Sequence, residues 1–318
     1  MKILITDKMA EEAIELLKDA GHNVTFDEMD HDTLLNSIAE YDALMVRSRT
    51  KATEDIVEKG AEGSLKVIGR AGIGVDNIDI KKAGSLGIKV VNAPTGATIS
   101  VAELTIGHML SLSRHLTKAD RSMKQGEWIK KQLKGTELYG KTLGLVGCGN
   151  IGQKTADLAR GFGMKVIGFD PFISKEELAR KQITKKEKLE DIMKSADIIS
   201  LHLPHTEKTH YIIDKTMLSK MKPSAFLINC ARGGTVDESA LYDALKNGSI
   251  AGAALDVFEN EPLEGTKLTT LDNIVFSPHV GANTNEGQIR AGTVCAEQVM
   301  KVLDGETPDH WVNKALMK

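Results

Sequence analysis

Short aliphatic and β-branched runs alternate with stretches of helical period from one end of the chain to the other. Runs bounded by Gly, Asp and Asn predict strands near 3–6, 23–26, 43–47, 66–69 and 88–91. A second series opens at Lys141, with strands near 143–146, 165–169, 198–201, 225–229, 252–256 and 274–277. Between them lie helical patterns, such as 10–20 with Ala13, Leu16, Leu17 and Ala20 on one face. An apolar helix from Ser100 to about Arg114 links the two series, and a segment from Asn285 to Leu303 follows the last strand. Alternation of this kind predicts an α/β protein of two doubly wound parallel sheets, one Rossmann-like and one flavodoxin-like, with a cleft between them. The expected division is a discontinuous domain, 1–98 with 285–318, and a second domain, 99–284.

One junction carries chemistry. The run Leu143–Val146 stops at Gly147-Cys148-Gly149-Asn150-Ile151-Gly152, and a helical pattern, read as 153–162, follows at once. This is G-x-G-x-x-G between a strand and a helix. Gly147 permits a tight turn, Gly149 removes the Cβ that would keep a pyrophosphate away, and Gly152 lets helix and strand approach. The helix start offers N–H groups and a positive dipole end to phosphates. Asp170 closes the next predicted strand, 18 positions beyond Gly152. A carboxylate there accepts from ribose hydroxyls and repels a 2′-phosphate, which favours NAD over NADP.

Composition narrows the class. The chain has 318 residues, 41% hydrophobic and 27% charged, the balance of a globular protein of two ordinary domains. A net charge of −3 gives no electrostatic footprint for nucleic acid. The N-terminal apolar stretch is too short for a signal peptide, and no window reads as a membrane span. The three cysteines, Cys148, Cys230 and Cys295, lack metal spacing, so a reduced, cytoplasmic setting is expected. No metal site is expected; His202, His205 and His210 cluster, but nothing beside them completes one.

Oxidising an alcohol with NAD needs a base for the hydroxyl proton, a cation for a carboxylate, and a group that sets the base. The second series offers one of each near its strand ends, where open α/β sheets bind ligands. Arg232 follows the apolar run 225–231, and its planar fork suits a 2-oxo or 2-hydroxy carboxylate. His279 lies in Ser277-Pro278-His279-Val280-Gly281, and an imidazole titrates near neutrality. Glu261, if it reaches His279, raises the imidazole pKa and fixes its tautomer. Taken singly, each has a plainer reading: a salt-bridged loop arginine, a structural histidine, a solvated glutamate. Asp256 either touches the nicotinamide end or caps a turn. Cys148 and Cys230 read as small packing residues, and 181–188 as a charged surface run.

Four blocks in this order resemble the D-isomer-specific 2-hydroxyacid dehydrogenases. They are Gly147-x-Gly149-x-x-Gly152 with Asp170; Ile228-Asn229-Cys230-Ala231-Arg232-Gly233-Gly234; Asp256-Val257-Phe258-Glu259-x-Glu261-Pro262; and Ser277 to Gly281. The resemblance implies Arg232 as the substrate-binding cation, His279 as acid and base, and Glu261 as its carboxylate partner. It implies NAD contacts along Gly147, Gly149, Asn150, Ile151 and Gly152, then at Asp170, Cys230, Ala231, Arg232 and Asp256, and in the loop His279, Gly281, Ala282. It also implies a homodimer built around the linking helix and the Trp128 region. Glu261 argues against the formate dehydrogenase branch, which puts an amide there.

Within that family, Val46–Thr50, Gly69–Asp79 and 128–144 are most similar to the branch that oxidises 3-phospho-D-glycerate, the first step of serine biosynthesis. Backbone N–H groups of Gly72, Ile73 and Gly74 are then expected to meet the substrate carboxylate. Arg47, Ser48 and Arg49 are expected to recognise the phosphate, with Lys130 or Lys131 of a second subunit helping. Many members of that branch carry further C-terminal regulatory domains, and the chain's stop soon after Asn313 gives an expectation of no serine feedback through one. Glyoxylate, hydroxypyruvate and lactate relatives share the short architecture and stand as rivals. An NAD-sensing corepressor without turnover is the rival from another class.

Overall fold

The structure is a computed structural model that describes residues 1–317. Two compact units emerge, Met1–Thr98 with Ala282–Lys318, and Ile99–Gly281.

The first unit holds a five-stranded sheet of β1 (Lys2–Ile5), β2 (Asn23–Phe26), β3 (Ala43–Val46), β4 (Val67–Arg70) and β5 (Lys89–Asn92). Every pairing is parallel, in the order β2-β1-β3-β4-β5. This is the flavodoxin-like order, with its reversal between β1 and β3. The central strands are apolar apart from Lys2 and Arg70 at their ends, because helices cover both faces. Ile3, Ile5, Met45 and Val67 pack with Ala13 and Leu17 on one side, while Leu4, Leu44, Val46 and Ile68 pack with Ile56 and Val57 on the other. The helix Asn285–Leu303 joins the first of these layers through Cys295, Ala296 and Val299. It lies close because residue 69 is glycine: a Cβ there would stand 2.6 Å from Val299 Cγ2 and 2.8 Å from Cys295 Sγ.

The second unit holds seven parallel strands: β6 (Thr142–Val146), β7 (Lys165–Phe169), β8 (Thr184–Lys185), β9 (Ile198–Leu201), β10 (Phe226–Asn229), β11 (Gly252–Leu255) and β12 (Ile274–Phe276). Their order is β12-β11-β10-β9-β6-β7-β8. Counted from β6 this is the Rossmann arrangement with a seventh strand, and its reversal falls between β6 and β9. The core gathers Ile199, Leu201, Leu227 and Leu255 from the sheet with Ile192, Leu241 and Leu245 from helices.

The expected strands form with shifts of a residue or two at their ends. β8 is the addition: Thr184–Lys185 lies inside the charged run read as surface and pairs with Ile167 and Gly168. The linking helix runs Thr98–Arg114, and the helix after the glycine turn starts at Asn150, not 153. Among the described residues no helix is long and apolar enough to cross a membrane.

Candidate functional site

The glycine turn joins β6 to the helix Asn150–Gly161. Gly147 has φ +90, and a Cβ there would overlap the His202 carbonyl, whose carbon is 2.7 Å away. His202 follows β9, so this contact sits at the reversal point of the sheet. A Cβ on Gly152 would stand 2.5 Å from Gly147 O, whereas one on Gly149 meets nothing within 4 Å. No side chain caps the helix start at Gly149, so its first-turn N–H groups keep their donors for a ligand. Asp170, just past β7, accepts from Cys148 N and Phe172 N, both at 2.9 Å, and so braces the glycine turn.

Beyond β10, Asn229 folds the next loop. Its side chain donates to Arg232 O at 3.0 Å and to Thr235 Oγ1 at 3.1 Å, and accepts from Ala231 N at 3.0 Å. Arg232 Nη1 donates to Ala231 O at 2.7 Å, which fixes the guanidinium direction. A Cβ on Gly233 would overlap Phe258 O, so the arginine loop lies directly against the loop that follows β11.

Asp256 opens that second loop and is buried. Its carboxylate accepts from Ser277 Oγ at 2.6 Å, Val280 N at 2.9 Å and Gly281 N at 2.8 Å, while its carbonyl accepts from His279 N at 2.8 Å. His279 itself takes φ 51, a left-handed conformation uncommon for a side-chain-bearing residue. Its Nδ1 faces Glu261 Oε2 at 2.7 Å, and Glu261 Oε1 accepts from Phe258 N at 3.1 Å. Nδ1 then carries the shared proton in the neutral ring, which leaves Nε2 as the acceptor. The histidine and glutamate side chains are 50% and 37% exposed, so a substrate can reach them. A cavity of about 550 Å³ adjoins the pair, lined by Phe258, Pro262, Leu263, Phe276 and Pro278 among others.

Burial perturbs the neighbouring titratable groups. His108 meets Ser277 Oγ at 3.0 Å, and burial lowers its pKa against the opposing pull of Asp256. His202 is pushed down to about 3 by burial. The Cys148 and Cys230 thiols are pushed up to about 12, burial being the main cause for each. His205 Nε2 lies 3.0 Å from His210 Nδ1, so two of the clustered histidines meet.

In the first unit, β3 and β4 pair in register, Val46 beside Arg70, so the loops that follow them are neighbours. Arg47, Ser48 and Arg49 lie on one of them, and Gly72, Ile73 and Gly74 on the other. Asp7, a buried acid after β1, accepts from Arg47 N and from Thr50 Oγ1 at 2.7 Å. Asn77 donates to Arg47 O at 2.8 Å and Thr50 O at 2.6 Å. Arg49 is turned onto its own unit: Nε lies 3.2 Å from Asp7 Oδ1, Nη1 donates to Met29 O at 3.2 Å, and Nη2 donates to Thr6 O. Arg47 sends only Nη1 to Lys8 O, at 3.1 Å. Asn92 steadies the glycine turn by donating to Ile73 O at 2.6 Å. Arg70 lies over that turn so closely that any Cβ at Gly72 would overlap its guanidinium.

Comparison with known proteins shows the family. The family profile described as "D-isomer specific 2-hydroxyacid dehydrogenase, NAD binding domain" matches residues 106–281. The chain is 50% identical over 313 residues to a D-3-phosphoglycerate dehydrogenase of Methanocaldococcus jannaschii, covering 98% of this chain and 59% of that protein. It is 46% identical over 306 residues to a hydroxypyruvate reductase of Thermotoga maritima, covering 95% of this chain and 98% of the other. The apo structure of Escherichia coli D-lactate dehydrogenase superposes with TM-score 0.85 at 26% identity, covering 98% and 99% of the two chains.

The chain belongs to the D-isomer specific 2-hydroxyacid dehydrogenases.

It spans about six-tenths of the length of the Methanocaldococcus relative. As in that family, the second unit carries an NAD-binding domain, and its residues fit the cofactor. Gly149 faces open space, the first helical turn lacks a side-chain cap, and the Asp170 carboxylate stands at the end of the neighbouring strand. The structure brings Arg232, Glu261, His279, Asp256, Cys230 and the glycine turn to the C-terminal ends of strands in one sheet. Arg70 and Asp7 escaped the sequence reading. The signal was present in both, a charged residue ending an apolar strand, where burial demands a partner.

Proposed function

We propose that this chain oxidises 3-phospho-D-glycerate to 3-phosphohydroxypyruvate with NAD, reversibly. The reading rests on one observation, the 2.7 Å contact between His279 and Glu261 that leaves the outer imidazole nitrogen to accept a proton. Bound NAD supplies the two-electron acceptor for the C2 hydrogen. Neutral His279 takes the C2 hydroxyl proton on Nε2, and Glu261 stabilises the imidazolium that results. In reverse the imidazolium returns the proton. Arg232 holds the substrate carboxylate, aided by the backbone N–H groups of residues 72–74.

Arg47 with Ser48 is assigned to the phosphate, and Arg49, engaged by Asp7, to holding their loop. Arg70 over the glycine turn adds positive charge to the same face of the first unit. Asn150, Ile151 and the Asp170 carboxylate are assigned to NAD, with Cys230, Ala231, Asp256, Gly281 and Ala282 toward its nicotinamide end. Leu116, Met123, Trp128 and Tyr139, all largely exposed, are the apolar surface on which a homodimer is expected.

A second reading, reduction of hydroxypyruvate or glyoxylate, is favoured by the Thermotoga relative, which this chain matches along 98% of its length. NADH formation or consumption with a panel of D-2-hydroxy acids and their 2-oxo partners separates the two. Arg47→Ala is expected to cut kcat/KM for phosphoglycerate by about 100-fold, because a charge-assisted contact is lost, and to leave an unphosphorylated acid within about threefold. Equal losses on both substrates would remove the phosphate assignment.

A further inference from the structure

Behind the His279–Glu261 pair stand two more carboxylates that the proposed chemistry does not use. Glu238 is the first residue of the helix Glu238–Lys246, and Glu259 lies in the loop after β11. They clasp each other through their backbones: Glu238 N donates to Glu259 Oε1 at 3.1 Å, and Glu259 N donates to Glu238 Oε1 at 2.8 Å. Tyr211 OH donates to the remaining oxygen of Glu259 at 3.2 Å. One residue before Glu259, Phe258 N donates to Glu261. The clasp and the glutamate that faces His279 are thus successive hydrogen bonds along one short loop.

We propose that Glu238 and Glu259 are positioning residues for the Glu261–His279 pair, their reciprocal clasp holding the loop in the register that turns Glu261 onto the imidazole. The inference rests on the acid–base reading of His279 given above.

Two observations support it. Three glutamates converge here, an arrangement that repels itself unless the geometry is imposed. Burial, with the charges of Glu259 and Glu261, holds the Glu238 carboxyl above its ordinary range, so the helix start and the loop are kept together at an electrostatic cost. The charged and titratable groups facing the cluster come from every neighbouring element. Asp237 caps the helix, Tyr211 carries His210 stacked at 3.9 Å, Lys267 shares a small polar hollow with Glu238 and Asp243, and Arg232 precedes the glycine that abuts Phe258.

The test uses Glu238→Gln and Glu259→Gln, which keep an acceptor oxygen and lose the charge, and Glu238→Ala, which breaks the clasp. The readouts are kcat and KM, taken separately, and rescue by the conservative variant. In turnover, Glu238→Ala is expected to lower kcat about tenfold with KM for NAD within about twofold, and Glu238→Gln to restore most of kcat. Undiminished kcat in Glu238→Ala, or Ala and Gln variants equally impaired, overturns the proposal. Should Glu238→Ala fail to fold, Glu259→Ala, which breaks the clasp from the other side, decides by the same kcat and KM. Full activity in His279→Ala would instead overturn the acid–base reading on which the inference rests.

Discussion

The Asp256 carboxylate and the Gly281 amide meet at 2.8 Å, tying the end of β11 to the loop that carries His279. A Cβ at 281 would stand 3.0 Å from the same oxygen, so the small residue and the acid belong together.

Asp256→Ala is therefore expected to be costly. It removes the acceptor for Ser277 Oγ and two backbone N–H groups in a buried place. Hydrogen bonds to a charged group and the desolvation of orphaned donors together suggest a loss of about 3 kcal/mol, roughly 6–12 °C in midpoint for a unit of this size. Thermal unfolding followed by circular dichroism measures it, and a midpoint unchanged within a degree or two would contradict the role given to the carboxylate. Asp256→Asn, which keeps one acceptor oxygen, should fall between.

Two alanine substitutions in the glycine turn should part company. Gly147→Ala meets both a left-handed backbone and the His202 carbonyl, and is expected to lose about 1–3 kcal/mol of stability along with NAD binding. Gly149→Ala meets no protein atom within 4 Å. It should fold like the parent and still bind NAD at least tenfold more weakly, because the methyl occupies the space a pyrophosphate needs. Calorimetric titration with NAD reads the difference. Wild-type affinity in Gly149→Ala would show that the cofactor does not approach there.

The thiols should be inert in the folded chain. Burial pushes Cys148, Cys230 and Cys295 up to about 12, so only about one in 10,000 is thiolate at pH 8. A thiol reagent is expected to label none of them at the rate of a free cysteine, and all three after denaturation. Because the folded pKa values are raised, the stability they contribute is complete below about pH 8.5 and is lost as pH climbs from there toward 12. Rapid labelling of Cys230 under native conditions would mean that its loop opens.

What the sequence disclosed depended on how local the cause was. β2, β7 and β9 were legible to the residue because apolar runs end at Gly, Asp or Asn. The glycine turn was legible because each glycine answers a clash within a few residues or at the adjacent strand. β8 was not, since Thr184–Lys185 is an edge pair in a charged run and buries little that periodicity can report. The partnership of Glu261 with His279 depends on how two loops return toward each other, which spacing does not encode. Arg49 looked the equal of Arg47 as an anion contact until Asp7, far off in sequence, proved to engage it.

The helix Asn285–Leu303 has a consequence for how the chain comes into being. It covers part of one face of the first sheet with Cys295, Ala296 and Val299, so that face stays partly bare until residues 285–303 have left the ribosome. Residues 99–281 form a compact unit of their own before then. Residues 99–281 can mature while 1–98 still wait, an inversion of their order of synthesis, and a chaperone guarding the nascent chain would find its client surface on residues 1–98.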